Sequence, residues 1–308
     1  MSRGTDPHGD GGGALTGTPY RRALVIANPI SGRGQGAKAA QELEEGLNRL
    51  GVPTELFRTG KRGDAFTRLR TMEPGIDLVV AAGGDGTVRE VFEGLVDPEV
   101  PVGILPFGTA NVLATELGLP RDVHHALEII AAHRVSPIDV ATVNGRMSFL
   151  VTGIGIDGMA VRQVEEKRTG PITKWSYVEA VLRTLRGYEP PRITVELDSE
   201  RLEGEYGLVL VSNTIGYGGL LNLSEDTRRD DGLFEVYLFP TGRIGELLGA
   251  FVRGLVSSLP GGAVEMRRAR TVRIDSEKPV PYQVDGDFGG ETPVEIEVGR
   301  TQYRILVP

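Results

Sequence analysis

The stretch Val79 to Glu90, VVAAGGDGTVRE, runs from an apolar segment into two glycines, a carboxylate, a third glycine and a hydroxyl. Glycine reaches positive φ and lets a ligand approach the main chain, and successive amide N–H groups at a strand-to-helix junction make a cradle for an anion. Asp85 would repel a bare phosphate unless a cation lay between them, so the stretch points to a nucleotide accompanied by Mg²⁺. Two more turns have the same make-up: NPISGRGQGAK, with Asn28, Ser31 and three glycines, and PFGTAN, with Gly108, Thr109 and Asn111. If all three cap strands of one sheet, they face one crevice. The hydroxyl of Thr87 adds a donor there.

Other stretches carry acids. RRDDGLF reads as a turn with two carboxylates, Asp230 and Asp231, leading into a strand. VDGDFGG places Asp285 and Asp287 in what reads as a tight hairpin turn, and GIGIDG sets Asp157 at the end of an apolar strand. Gly32, Gly34 and Ala37 satisfy a dinucleotide pattern with Glu55 downstream, but that reading leaves the other two glycine turns unexplained. No G-x-x-x-x-G-K-[ST] occurs, which excludes a Walker-type NTPase.

The elements that must position these residues alternate from Arg21 onward. Apolar strand-like runs (RALVIANP, TELFRT, DLVVAAGG, PVGILPFG) are each followed by helical periodicity, which predicts a doubly wound α/β half with a mainly parallel sheet. After the helix near 122–132 the rhythm changes: SPIDVATVNGRMSFLVTGIGID holds an Asn-Gly pair between β-rich runs, and short strands follow to the end. These predict an antiparallel β-sandwich, interrupted by helices near 173–187 and 244–257. The expected organisation is a disordered tail over 1–20, an α/β domain over 21–138 and a β-sandwich domain over 139–308.

Bulk properties narrow the function. The 308 residues suit two domains. A net charge of −8 opposes nucleic-acid binding, and there is no cysteine for a disulfide, a thiolate metal site or a thiol nucleophile. No window is apolar enough to span a bilayer and the first residues lack a secretory pattern, so a cytoplasmic location is expected.

Taken in order, NPISG, GGDGTVREVFEGL, GILPFGTANVLATELGLP, GIGIDG, DDGLFEVYL and VDGD resemble the diacylglycerol kinase catalytic-domain family over nearly all of 22–308. That family includes bacterial lipid kinases and the ceramide and sphingosine kinases. The resemblance implies an ATP-dependent lipid kinase of phospholipid metabolism, with ATP and lipid meeting between the two domains and the last strand returning to the first domain. It implies ATP contacts from Asn28, Pro29, Ile30, Ser31, Gly32, Thr59, Gly83, Gly84, Asp85, Gly86, Thr87, Val88, Arg89 and Thr109, alongside Gly108 and Asn111. Asp85 would stand close to the metal and phosphates. A structural Mg²⁺ would be held by the Asp231 side chain with the backbone oxygens of Arg228 and Leu233, Asp230 being the alternative. Asp157 would lie near the acceptor head group. Asp287 would take the hydroxyl proton, with Asp285 assisting or substituting.

The chain departs from this family at two places. Asp287 replaces the usual Glu and is one methylene shorter, and Val112 stands where many relatives carry an acid. A lipid acceptor implies peripheral contact with the inner face of a membrane, and a homodimer is compatible with the chain. Leu247, Leu248, Phe251, Val252, Leu255 and Val256 form an apolar stripe, and Arg183, Arg186, Arg192, Arg267, Arg268 and Arg270 are basic spots for anionic head groups. The alternatives are NAD kinase-like phosphorylation of a soluble acceptor and a non-catalytic nucleotide-binding regulator.

Overall fold

The computed structural model describes residues 18–166, 174–185, 188–217, 221–240 and 264–308. The first domain runs β1 (Ala23–Ala27), α1 (Gln35–Arg49), β2 (Thr54–Arg58), α2 (Asp64–Arg70), β3 (Leu78–Gly83), α3 (Asp85–Gly94), β4 (Val102–Pro106), α4 (Val112–Glu116), α5 (Val123–Ala132) and β5 (Val135–Ile138). All five residues of β1 and of β4 are buried, the pattern of parallel strands covered by helices on both faces. The strand order is β2-β1-β3-β4, so the turns after β1, β3 and β4 emerge side by side at one edge.

The second domain continues with β6 (Ala141–Val143), β7 (Arg146–Ser148), β8 (Val151–Gly155), α6 (Ile156–Glu166), α7 (Lys174–Leu185), β9 (Arg192–Leu197), β10 (Glu200–Ser212), β11 (Gly216–Tyr217), β12 (Leu221–Asn222), β13 (Phe234–Pro240), β14 (Glu265–Ala269), β15 (Thr271–Ser276), β16 (Pro281–Val284), β17 (Asp287–Glu291) and β18 (Val294–Val298). Strand β18 alternates buried and exposed residues, so one face is covered and the other meets water. Strand β10 belongs to both layers. Residues 200–205 pair with β9, and after an irregularity between Tyr206 and Leu208 the rest pairs with β8 and β13. Ile193, Val195, Val209, Val236, Ile274, Tyr282 and Ile296 fill the space between the layers.

The last strand, β19 (Tyr303–Leu306), lies in the first sheet, parallel to β4 and antiparallel to β5. The run SPIDVATV is two strands on two sheets, separated where Asp139 accepts from the Gly232 amide at 2.7 Å and from Gln302 Nε2 at 3.0 Å. Two elements differ from the sequence reading. Helix α6 was not expected; Asp157 lies in its first turn and does not cap a strand end. Tyr20, assigned to the tail, is buried, and its hydroxyl lies 2.6 Å from His133 Nδ1. The rest of that tail, 1–17, and the helix expected over 244–257, with its apolar stripe, lie outside the described residues.

Candidate active site

Backbone contacts join the three glycine turns. The Asn28 amide donates to Ala82 O at 3.0 Å, and the Phe107 amide donates to Gly83 O at 2.8 Å. A Cβ on Gly108 would stand 2.5 Å from Gly84 Cα, and one on Gly84 would stand 2.9 Å from Gly108 Cα. Only glycine at both positions lets the second and third turns touch. Gly32, with φ of 60°, packs its open side against Phe107, bringing the first turn onto the third.

Around this rim the predicted residues do different things. Asn28 Oδ1 accepts from the Ile30 amide at 3.2 Å, holding Pro29 and the exposed Ile30 in a turn, and the Asn28 carbonyl accepts from the Ser31 amide at 3.1 Å. Thr59 donates through both its amide and its hydroxyl to Ala27 O, at 2.9 and 3.3 Å. Asn111 closes its amide on Gly108 at both ends, 2.7 and 2.8 Å, so it shapes the loop while Thr109 is exposed. Val88 packs into the core and presents only backbone to the rim; Thr87 is buried, and Gly86 is open. Asp85, first residue of α3, faces the amides of Asn111, Val112 and Leu113 at the start of α4. Burial pushes its carboxyl up to about 6, with those amides pulling the other way.

Opposite the rim, Val284 pairs with Asp287 across a two-residue turn, Asp285-Gly286, whose φ values of 48° and 86° suit a hairpin of the primed type. The two acids point to different tasks. Asp285 accepts from Ser148 Oγ at 2.9 Å and from the amides of Phe149, Leu150 and Val151 at 3.1, 3.1 and 3.0 Å. Burial raises its pKa against these donors, which favour the anion. These bonds, three on Oδ1 and one on Oδ2, make Asp285 an anchor that ties the hairpin to the β7–β8 connection.

Asp287 Oδ2 receives three guanidinium groups: Arg62 Nη2 at 2.7 Å, Arg89 Nη2 at 2.5 Å and Arg146 Nη2 at 2.6 Å. Burial alone would raise its carboxyl, but the arginines, Arg89 foremost, hold it below the usual range. Arg89 lies on α3 one turn beyond Asp85 and is only 5% exposed. The Arg62 loop is fixed by Asp64 Oδ2, which accepts from the Gly60 and Lys61 amides at 2.7 and 2.9 Å, and by Glu90 Oε1, which accepts from the Gly63 amide at 3.0 Å. Arg62, Arg146 and Glu90 escaped sequence reasoning. In the fold, Arg146 and Asp287 each lie two residues from a partner in the Ser148–Asp285 bond, a tertiary contact that residue spacing does not reveal.

Two predicted groups lie apart from the rim. Asp157 is buried, accepting from Tyr217 OH and, at 2.9 Å, from Gln283 Nε2. Asp231 accepts from the Leu233 amide at 3.2 Å and is paired with Arg268, which also lies 3.4 Å from buried Glu235 Oε1. Burial raises the Glu235 carboxyl to about 7. A divalent ion held by Asp231 with the carbonyls of Arg228 and Leu233 would have to displace that guanidinium, and no group of three or more acid or His ligands clusters among the described residues. Of the other basic spots, Arg183 pairs with Glu179, Arg192 with Glu203 and Arg267 with Glu200 and Glu265. Arg186 lies outside the described residues.

Comparison with known proteins gives two family matches, the diacylglycerol kinase catalytic domain over residues 22–143 and the YegS C-terminal NAD kinase beta sandwich-like domain over 151–307. A diacylglycerol kinase of Bacillus subtilis (strain 168) is 29% identical over 297 residues, 94% of this chain and 97% of the relative. One from Staphylococcus saprophyticus is 29% identical over 279 residues, 89% of this chain and 91% of the relative. A crystal structure of a diacylglycerol kinase from Bacillus anthracis str. Sterne superposes with a TM-score of 0.74 at 23% identity, covering 94% of this chain and 98% of that one, a likeness of fold.

Proposed function

As the chain belongs to the diacylglycerol kinase catalytic-domain family, we propose that it transfers the γ-phosphoryl group of ATP to the hydroxyl of a lipid, diacylglycerol or a related lipid alcohol. One observation carries this reading: three glycine turns touch one another, and Arg89, on the helix that begins at the second of them, meets an acid shared with two further arginines. The substrate is Mg²⁺-ATP, in which the ion neutralises phosphate charge during transfer.

The chain's own groups then have assigned work. Amides of the turns at Gly32, Gly84 to Gly86 and Thr109 receive the triphosphate, where the neighbouring glycines leave the backbone open to it. Asp85, beside the second turn, sits where a phosphate-bound cation would relieve its burial. Asp287 accepts the proton of the lipid hydroxyl as its oxygen bonds to phosphorus and the bond to ADP breaks. Asp285 keeps Asp287 and Arg146 in register by tying the hairpin to β7 and β8.

The location that follows is the inner face of a membrane, reached without a span: among the described residues no helix is long and apolar enough to cross one. The test is incubation of the purified protein with γ-labelled ATP and Mg²⁺, separately with dispersed diacylglycerol, ceramide, sphingoid base, phosphatidylglycerol and NAD. Label in a lipid is expected. Transfer to NAD alone would discard the lipid acceptor, and transfer to nothing would leave a nucleotide-binding regulator.

A further inference from the structure

We infer that Arg62, Arg89 and Arg146 form a subsite for a terminal phosphoryl group, and that the carboxylate of Asp287 plugs it until such a group arrives. The inference rests on the kinase reading and adds to it two residues, Arg62 and Arg146, and an order of events.

The mismatch between the arginines and their present partner carries the argument. Three cations come from three separate elements, the loop before α2, helix α3 and strand β7, and all meet one oxygen at 2.5–2.7 Å. A guanidinium is a fork of five N–H donors, suited to several oxygens at once. Here each fork spends one nitrogen on the same atom. The remaining contacts are weak: Arg146 Nη1 to Phe288 O at 3.4 Å, and Arg89 Nε to Glu93 at 4.0 Å. Of the other nearby acids, Asp285 is taken by four donors of its own, and Glu93 stands off at 4.0 Å from Arg89. A phosphoryl group offers three terminal oxygens and close to two negative charges, so each arginine could have an oxygen to itself.

Burial explains why a plug is needed. Arg89 is almost wholly removed from water, and a buried unpaired charge is costly, so the subsite requires an anion at all times. Asp287 supplies it from a hairpin turn whose backbone is fixed by Asp285. The subsite also adjoins the rim, because Arg89 stands one helical turn from Asp85. When a phosphoryl group takes over the three guanidiniums, Asp287 loses the charges that suppress its basicity. It becomes a proton acceptor only once the group to be transferred is in place, which prevents a committed base from waiting in an empty site.

The shared chemistry is a phosphate monoester or terminal phosphate, which could come from the nucleotide or from a phosphorylated product. Calorimetric titration of the full chain with inorganic phosphate, ADP, ATP and glycerol 3-phosphate distinguishes these, using wild type, D287N, R62Q and R146Q. Inorganic phosphate is expected to bind D287N about tenfold more tightly than wild type, and R62Q or R146Q about tenfold more weakly. A γ-phosphate occupant shows as loss of the ATP-over-ADP advantage in R62Q and R146Q. A product occupant shows as weakened glycerol 3-phosphate with that advantage intact. Arg62 is 68% exposed, so R62Q tests the subsite with little risk to folding. Phosphate affinity unchanged or weakened in D287N would overturn the plug, and affinity unchanged in both arginine variants would overturn the subsite. Label transfer to lipid by wild type reports separately on the kinase reading: transfer with no tightening in D287N removes the plug alone, whereas the expected phosphate affinities without any transfer keep the subsite and remove the kinase.

Discussion

Gly86→Ala separates the fold from phosphate binding, because the two pull in opposite directions there. Gly86 is the second residue of α3, has an ordinary negative-φ backbone, and a Cβ built on it meets nothing within 4 Å. No feature of the folded chain requires glycine. Alanine in a helix is favoured over glycine by about 0.5–1 kcal/mol, worth roughly 2 °C in Tm for a protein of this size. If a phosphate approaches this amide, however, the methyl occupies its path. Loss of one hydrogen bond to a charged group costs about 1.5–3 kcal/mol, a 10- to 150-fold weakening of ATP. Gly84→Ala is the contrast: its Cβ, 2.9 Å from Gly108 Cα, lies about 0.5 Å inside the 3.4 Å at which ordinary contact begins. The two turns must part, so both stability, by about 1–3 kcal/mol, and ATP affinity fall together. The assay pairs thermal unfolding with calorimetric ATP titration for each variant. A G86A protein with raised Tm and unaltered ATP affinity would refute the placing of the triphosphate on this turn.

Two further outcomes follow from the acids. The folded pKa of Asp85, about 6, lies above its unfolded value of 3.8, so its contribution to stability is complete below about pH 4 and is lost as pH rises through 6. D85N escapes that loss. Relative to wild type it should gain on the order of 2 kcal/mol between pH 4 and 7, read from urea unfolding at several pH values, and a pH-independent difference would contradict the burial argument. D285N replaces a carboxylate surrounded by four donors with an amide that can accept on one side only. It should cost about 2–3 kcal/mol in the same unfolding assay and also weaken inorganic phosphate, since Arg146 loses its anchor. A variant as stable as wild type would refute the anchoring role.

The glycine turns were legible because their information is local. Residue types that permit positive φ, placed at the ends of apolar runs, specify a junction whatever else the chain does, and parallel topology then brings the junctions to one edge. Helix α6 was not legible for the converse reason. The apolar run VTGIGI passes without a breaker from β8 into the first helical residue, Ile156, and only Gly155, at φ of 96°, marks the change of direction. The division of SPIDVATV between two sheets depends on Asp139 bonding Gly232 and Gln302, partners 93 and 163 residues away.

The arginines extend this argument to function. Sequence reasoning sought basic residues where they cluster in the chain and found Arg267, Arg268 and Arg270, of which the first two are neutralised by neighbouring acids. Those that converge on Asp287 are 225, 198 and 141 residues from it. Charge becomes a binding site through tertiary convergence, which residue spacing does not record. The departure that stood out in the sequence, Asp for Glu at 287, raised a question of reach. With three guanidiniums on one oxygen, the physical question becomes one of release: what takes the arginines away from the acid before the acid can take a proton.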